Sequence, residues 1–258
     1  MHFCKGIRFP FFCVVTTMLF LMGCSGGDSD DSEDKASFEL STPPNVDWPN
    51  QKVEINQLNM STFTLDLVTA YDFSRIFVGD RYIVADALQD TSVIIPESDC
   101  DGGGKLKVNT EKLQSTWFLA LTYNNCRESA VTRNGRIIFR FSAESGYLSS
   151  DEFSILFDNY EITFTDATQL SFHGSVDVDS HSSPRAMTLD LIAGNQDRFF
   201  KVESFNVPLR YEAQVGDFSG RVFDSESGFA EVNASDGFDF DERYLWPVDG
   251  GSLTFSGI

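Results

Sequence analysis

Hydrophobic and polar residues alternate in short runs along most of the chain after residue 62. A period of two is typical of β-strands that are buried on one face only. The alternating runs lie at residues 63–71, 117–123, 137–141, 153–157, 160–164, 170–178 and 207–213. We find no convincing amphipathic helix of useful length, so the pattern predicts an all-β fold.

Turn-forming pairs such as Asn134-Gly135 and Ser227-Gly228 separate the alternating runs. The 25 Phe residues suit the core of a β domain, because aromatic side chains pack well on a pleated surface. We therefore predict a single domain over residues 51–258. It would be an antiparallel meander that forms a curved sheet, a sandwich or a partial barrel.

A weak internal repeat joins an aromatic residue and Asn to a later Gly. Its units begin at Tyr123-Asn124-Asn125, Phe157-Asp158-Asn159 and Phe205-Asn206-Val207, and the later glycines are Gly135, Gly174 and Gly220. Asn and Gly tolerate positive φ, so the repeat predicts recurring turns or β-bulges. The spacing is too variable for the fixed rungs of a solenoid, and a meander of hairpins fits better.

The chain begins with the features of a secretory signal peptide. Lys5 and Arg8 precede the apolar run FPFFCVVTTMLFL, which leads to Gly23-Cys24. A basic end, an apolar middle and a small residue before the cut are the parts of such a signal. The apolar run is shorter than the roughly 20 residues that a membrane span needs. We therefore predict cleavage after Gly23.

The cysteine directly after this small residue resembles the lipobox of bacterial lipoproteins, although Met22 is a less usual residue at its position. The resemblance implies that residues 1–23 are a lipoprotein signal peptide. It also implies that Cys24 carries acyl chains, palmitate among them, which anchor the protein in the membrane. Ser25 follows the cysteine and implies sorting to the outer membrane, with the mature domain in the periplasm or at the cell surface.

The mature chain is strongly acidic. Without Lys5 and Arg8 it holds 17 basic and 39 acidic residues, a net charge of −22. A surface of this charge repels phosphate backbones, which excludes nucleic acid as a partner. Solubility is the simpler interpretation of the charge, and cation binding is the alternative. Residues 24–50 are rich in small and acidic residues, so we predict a disordered, flexible tether there.

Two cysteines remain after the anchor, Cys100 and Cys126. In an exported protein such a pair indicates a disulfide, which would stabilise the fold by roughly 3–4 kcal/mol. A zinc site would need more ligands than these two and the two mature histidines, His173 and His181, can offer.

Two acidic groupings could bind Ca²⁺, although solvated acidic surface is the simpler interpretation. One consists of Asp177, Asp179 and His181 on alternate strand positions. The other consists of Asp236, Asp239, Asp241 and Glu242. The second group lacks the full spacing of an EF-hand, so we predict no metal and no cofactor.

Other candidate chemistry rests on single residues. His173 lies on the same strand face as Asp177 and Asp179, where it could act as a base or ligand, but a solvated strand residue is the simpler interpretation. Trp246, before Pro247, could stack on a sugar ring. The sequence contains no GxSxG, HExxH or CxxC motif and no phosphate-binding glycine loop.

Four short motifs together resemble a family of uncharacterised gammaproteobacterial lipoproteins. They are the lipobox with its acidic tether, Cys100-Asp101-Gly102-Gly103-Gly104 with Tyr123-Asn124-Asn125-Cys126, Asn134-Gly135 before a strand, and Phe218-Ser219-Gly220-Arg221-Val222-Phe223 with Gly228-Phe229. The resemblance implies no activity and no catalytic residue. We expect a non-catalytic β-domain that binds or scaffolds a protein or glycan partner. The alternative is an envelope hydrolase that acts on glycans or cell-wall material through paired carboxylates.

The last residues of the chain form one more alternating run. Leu253 and Phe255 alternate with polar neighbours, and no hairpin partner follows them. We predict that this strand lies at a sheet edge, and expect a truncated member of the family that the chain resembles. The competing interpretation places the strand in an interior slot between earlier strands.

Overall fold

A computed structural model describes residues 38–87, 94–128, 130–142, 152–179, 186–195, 197–208, 212–213, 218–240 and 247–257. These residues form one helix, α1 (Gln57–Ala87), and twelve strands. The strands are β1 (Ile94–Asp99), β2 (Lys105–Leu113), β3 (Thr116–Glu128), β4 (Val131–Ser142), β5 (Glu152–Phe164), β6 (Gln169–Asp179), β7 (Ala186–Gly194), β8 (Phe199–Pro208), β9 (Glu212–Ala213), β10 (Ser219–Asp224), β11 (Gly228–Phe240) and β12 (Pro247–Ser256). The predicted all-β class is confirmed.

All twelve strands belong to one antiparallel sheet. Each strand from β1 to β7 pairs with the next strand in sequence. β8 then pairs with β10, and the path continues through β11 to β12. The two-residue strand β9 pairs with β11 outside this path. The predicted meander is therefore confirmed as a single sheet rather than a sandwich.

The C-terminal strand lies at one edge of this sheet, as the sequence predicts. Thr254 of β12 pairs with Asn233 of β11, and the strands that the structure describes provide no partner on the other side. The interpretation that put this strand in an interior slot is wrong.

Three bulges interrupt the strand pairing at residues with positive φ. Asn125 (φ 48°), Asn159 (φ 47°) and Ser204 (φ 47°) lie where the registers of β3, β5 and β8 shift. An extra residue in one strand increases the local twist and bends the strand. The predicted repeat does mark bulges, but its third unit lies at Ser204 rather than at Asn206.

Glycines on neighbouring strands allow the close approach that these bulges need. Gly135 of β4 has φ 83°, and a Cβ there would overlap the carbonyl oxygen of Asn159 in the β5 bulge. Gly220 of β10 stands beside Ser204 and Phe205 of β8 in the same way. Bulge and glycine therefore act together to bend the sheet.

The sheet has to curl, because one helix cannot cover it. Inward side chains from β2 to β12 belong to one buried core. Eleven flat neighbouring strands would be roughly 50 Å wide, whereas a helix with its side chains is about 10–12 Å across. Burial of these side chains in one core therefore requires the sheet to curve around α1.

The prediction of a strand over residues 63–71 is wrong, because these residues belong to α1. Phe63, Leu67, Ala70 and Tyr71 are buried at helical spacing, whereas Leu65 is 64% exposed. The alternation of Phe63, Leu65 and Leu67 mimics a strand over a few residues only. The helical period becomes visible only when the window extends to Phe77, which is also buried.

The start of α1 has a recognisable cap. The side-chain oxygen of Asn56 accepts hydrogen bonds from the N–H groups of Leu58 (3.0 Å) and Asn59 (3.1 Å). In return, the N–H of Asn56 donates to the side-chain oxygen of Asn59 at 2.9 Å. This reciprocal arrangement satisfies free donors of the first turn.

Aromatic rings of α1 pack against strands in the middle and at one end of the sheet path. The rings of Phe73 and Phe172 of β6 are stacked, with centroids 3.4 Å apart. Phe63 lies 6.3 Å from the ring of Phe255 in β12. The helix therefore lies on the inner, concave face, and the opposite face of the sheet is the outer face.

A buried ionic cluster also fixes α1 to the sheet. Arg198, between β7 and β8, donates to both oxygens of Asp66 in α1 at 2.9 and 2.5 Å, and to Asp224 of β10 at 2.7 Å. Asp66 is 2% exposed, and burial raises its pKa, so its ionised form depends on the guanidinium. Removal of one partner from such a cluster leaves a buried charge uncompensated.

Residues 38–50, hereafter the strap, cross the outer face of the sheet. Phe38 is 9% exposed and packs 4.9 Å from the ring of Phe118 in β3. At the other end, the ring of Trp48 contacts Phe223 of β10 edge-on at 6.4 Å. The boundary predicted between tether and domain at residue 50 is therefore too late, because the packed part of the chain includes Phe38.

We predict that Gly135→Ala destabilises the protein more than Gly103→Ala. Both glycines have positive φ, which costs a residue with a Cβ about 1–2 kcal/mol. A Cβ on Gly103 meets no atom within 4 Å, whereas one on Gly135 overlaps backbone. Overpacking should therefore add about 1–3 kcal/mol for Gly135→Ala. Urea unfolding measures both values, and equal losses would contradict the role of Gly135 in the bulge.

Candidate functional site

The predicted disulfide is confirmed. Cys100 and Cys126 are bonded, with their Cα atoms 5.5 Å apart and a sequence separation of 26. The bond joins the turn after β1 to the end of the β3 bulge. It stabilises this corner of the sheet and takes no part in the chemistry discussed below.

The proposed lipid attachment residue, Cys24, lies outside the described residues, as does the signal peptide. Of the second group of calcium candidates, Asp236 and Asp239 belong to strand β11. Asp241 and Glu242 lie outside the described residues. Across the described ranges, no three His, Cys, Asp or Glu side chains form a group that could hold a metal ion.

The most connected polar cluster of the outer face surrounds Asp158 in the β5 bulge. The N–H of Ser41 donates to Asp158 Oδ1 at 3.0 Å, and the Ser41 hydroxyl donates to the same oxygen. Arg136 of β4 donates to Asp158 Oδ2 from Nε at 3.0 Å and from its terminal nitrogen at 2.5 Å. Burial pushes the pKa of Asp158 upward, but the hydrogen bonds from Ser41 and Arg136 outweigh burial and hold it below its usual value.

His173 adjoins this cluster and is only 5% exposed. The interpretation of His173 as a solvated strand residue is therefore wrong, although its position on the face opposite Phe172 is confirmed. Its Nδ1 accepts a hydrogen bond from the N–H of Asn159 at 3.3 Å and lies 4.0 Å from Asp158 Oδ1. Burial lowers the pKa of His173, against the opposing effect of Asp158.

These contacts assign the tautomer of the neutral imidazole. Because Nδ1 accepts a hydrogen bond from Asn159, it carries no proton, and the proton of the neutral ring lies on Nε2. Among the described residues, no group is hydrogen-bonded to Nε2. His173 therefore presents an N–H donor away from Asp158.

The order of contacts differs from that of a catalytic triad. In a triad, the imidazole lies between the serine and the aspartate and takes the serine proton. Here the aspartate lies in the middle, since the Ser41 hydroxyl donates to Asp158 and His173 approaches the same carboxylate. A hydroxyl that donates to an ionised carboxylate, without a base aimed at it, is a poor nucleophile.

An open cavity of about 230 Å³ lies beside His173 on the outer face. Polar side chains line it from β5, β6 and the turn after β7, and Pro44 of the strap forms part of its wall. The polar lining residues are Asn159, Glu161, Gln169, Ser171, His173 and Asn195. We call this the His173 cavity.

A second cavity, of about 540 Å³, lies toward the other ends of the same strands. Asp177 there accepts from Ser154 at 2.5 Å and lies 3.7 Å from Arg140, and Asp179 is a further lining residue. In the first calcium grouping, Asp177 therefore already contacts a cation and a hydroxyl of the protein itself. The third member of this grouping, His181, lies outside the described residues.

The candidate sugar platform at Trp246 falls outside the described residues. Trp117 is partly buried against the core, and Lys112 lies 5.2 Å from its ring centroid. Trp48 of the strap packs on Phe223, and Lys201 lies 5.7 Å from the Trp48 ring. Both tryptophans therefore pack within the fold.

Sequence reasoning missed the cluster around Asp158. Asp158 lies within one repeat unit, and Arg136 directly follows the glycine of another. A charged residue beside each predicted bulge was therefore the sequence feature that could have indicated the cluster. Ser41 lies in a segment of tether-like composition and gave no signal.

Comparison with known proteins gives no relative of this chain, since no family model, no curated protein and no solved structure matches it. Within the described part of the chain, no helix combines the length and the apolar character needed to cross a membrane.

We predict that His173 makes the protein less stable as the pH falls. Its pKa is lower in the folded chain than the ordinary 6.5, so between these two values the unfolded chain binds more protons. The free energy of unfolding should therefore decrease as the pH falls below 6.5, by at most about 1.4 kcal/mol per pH unit. His173→Gln should remove this slope in urea unfolding.

Two features keep that measurement specific. The pKa of Asp158 is below its ordinary 3.8, so its contribution is lost only at lower pH. The other charged groups near the ring, Arg136 and Glu161, are common to all variants. His181→Gln is the matched control, and the assignment is wrong if that variant loses the slope while His173→Gln keeps it.

Proposed function

We propose that the protein is a lipid-anchored lipoprotein of the bacterial envelope, attached through Cys24 and sorted to the outer membrane. Its β-domain binds a ligand or partner on the outer face and does not catalyse a reaction. In this proposal the chain is one of the gammaproteobacterial lipoproteins that its motifs resemble.

The lipobox supports the anchor. Gly23-Cys24 follows an apolar run of signal-peptide length, and neither Cys4 nor Cys13 has a small residue before it. Stable anchoring requires more than one acyl chain, since each buried CH₂ contributes about 0.8 kcal/mol. A cysteine that carries several chains meets this requirement.

The position of the strap supports the proposal that one particular side of the domain faces the membrane. Residues 25–37 connect Cys24 to Phe38, and an extended chain of this length spans at most about 45 Å. Phe38 is held on the outer face beside Phe118 of β3. The proposed anchor therefore restrains the domain from its outer face rather than from the helix side.

The observation that carries the non-catalytic part of the proposal is the order of Ser41, Asp158 and His173. These are the residue types of a hydrolase triad, brought together on one surface, but the carboxylate occupies the position of the imidazole. The cluster instead attaches the strap to the sheet beside a cavity. Such an arrangement is suited to shaping a binding surface.

The alternative of a glycan hydrolase finds less support in the two cavities. A glycosidase requires two carboxylates that flank the scissile bond. The His173 cavity has Glu161 as its one lining carboxylate within the described residues. In the second cavity, Asp177 and Asp179 project from the same face of one strand, and Asp177 is engaged by Ser154.

We predict that Cys24→Ser abolishes acylation. The full-length chain is produced in a bacterium that acylates lipoproteins and is labelled with an alkyne analogue of palmitate. The wild-type chain should carry the label and sediment with membranes. The Cys24→Ser chain should carry none, because the thiol that accepts the diacylglycerol is absent.

Cys13→Ser is the matched control, since it removes a cysteine from the same signal segment. It should keep the label. Acylation that survives Cys24→Ser, or that disappears in Cys13→Ser, would show that the anchor has been assigned to the wrong residue or that the segment is not a lipoprotein signal.

A further inference from the structure

We propose that the His173 cavity binds a neutral sugar, as a free monosaccharide or as the end of a glycan. This inference names the ligand class of the outer-face binding surface and in that sense rests on the proposed function. It depends on four features of the cavity: its size, its free polar groups, its charge and its apolar wall.

The size of the cavity suits one sugar ring. At about 230 Å³ it lies below the range of roughly 300–1,000 Å³ that is common for pockets of drug-sized ligands. The walls come from strands β5 and β6, the turn after β7 and the strap. The bulge at Asn159 and the contacts of Ser41 with Asp158 fix these walls.

Hydrogen-bond donors remain free in the cavity lining. His173 presents the Nε2–H that follows from its tautomer. The side-chain oxygen of Asn195 accepts from the N–H groups of Asp197 and Arg198, both at 2.9 Å. The amide NH₂ of Asn195 is therefore the part of that side chain left for a ligand.

Hydrogen-bond acceptors remain as well. The side-chain nitrogen of Asn159 donates to the Ser41 hydroxyl at 2.8 Å, which leaves the side-chain oxygen of Asn159 to accept from a ligand. The Ser171 hydroxyl donates to the carbonyl of Gly194 at 3.2 Å, which leaves its lone pairs. The structure records no hydrogen bond or ion pair of the Glu161 carboxylate with another described residue. Donors and acceptors mixed in one small cavity match hydroxyl groups, because each hydroxyl both donates and accepts.

The charges in and near the cavity favour a neutral ligand over an anion. Arg136 neutralises Asp158, and His173 is uncharged at neutral pH. Glu161 disfavours an anion, as does the net charge of the chain, −20. The N–H groups of His173 and Asn195 are donors for the oxygens of a neutral ligand.

An apolar wall completes the cavity. Phe199, Ile192 and Pro44 contribute to its lining. Sugar rings have an apolar C–H face as well as hydroxyl edges, so a cavity with one apolar side and several polar groups fits both. A ligand that offers only polar groups would leave this wall unused.

The test measures binding of a defined panel of sugars to the full-length chain in a detergent without a sugar headgroup. The panel contains the methyl glycosides of glucose, galactose, mannose and N-acetylglucosamine, with glucuronate and glucosamine as charged competitors. Saturation-transfer NMR should show binding of at least one neutral glycoside in the millimolar range. The charged sugars should bind more weakly than that glycoside.

Two variants locate the site. Glu161→Ala removes an acceptor, and Asn195→Asp keeps the acceptor for the turn while removing the amide donor. Each should weaken binding by about tenfold, which is in the upper part of the range for the loss of one hydrogen bond. Thr163→Ala is the matched control, because Thr163 lies on the same face of β5 outside the cavity and should leave affinity unchanged. Thermal melts confirm that each variant is folded.

Three results would overturn the inference: no neutral glycoside binds, a charged sugar binds best, or both site variants bind as the wild type does. None of these affects the acylation result, so the anchor is judged separately. Conversely, cleavage of a bound glycan would contradict the non-catalytic part of the proposed function while leaving the sugar site in place.

Discussion

The structure depends on the curvature of one broad sheet around one helix. A chain that places its inward side chains on twelve strands can bury them only if the sheet bends. The bulges at Asn125, Asn159 and Ser204 supply that bend, and glycines on neighbouring strands lie beside Asn159 and Ser204. The same bulges move side chains out of the regular register, and the cavity beside His173 lies next to one of them.

Two polar clusters hold the segments that the sheet alone would not fix. Arg198 joins the helix to the sheet on the inner face through Asp66 and Asp224. Asp158 joins the strap to the sheet on the outer face through Ser41, and Arg136 also donates to the carbonyl of Glu39 at 2.8 Å. In each case a charged group near a bulge or turn binds a segment that is distant in sequence and so holds that segment on the sheet.

The period of two, the turn residues and the cysteine count predicted the fold class, the meander, the edge position of β12 and the disulfide. The helix was missed because the alternation of Phe63, Leu65 and Leu67 mimics a strand over a few residues. In α1 the hydroxyls of Thr62, Thr64 and Thr69 donate to carbonyls four residues earlier, and burial of one face stabilises the helix. The candidate site was largely missed because its members come from residues 41 to 195, and only the folded sheet brings them together.

The packing of α1 also has a consequence for the order of folding. Phe63 and Phe73 lie early in the chain, yet their ring partners are in β5, β6 and β12. Contacts between residues so far apart in sequence form slowly, because a long loop must close first. During synthesis from the N-terminus, α1 therefore emerges well before the strands that bury it. A nascent chain of this protein exposes an aromatic helix until its C-terminal half has been made, and a chaperone that shields such a surface would act in this interval.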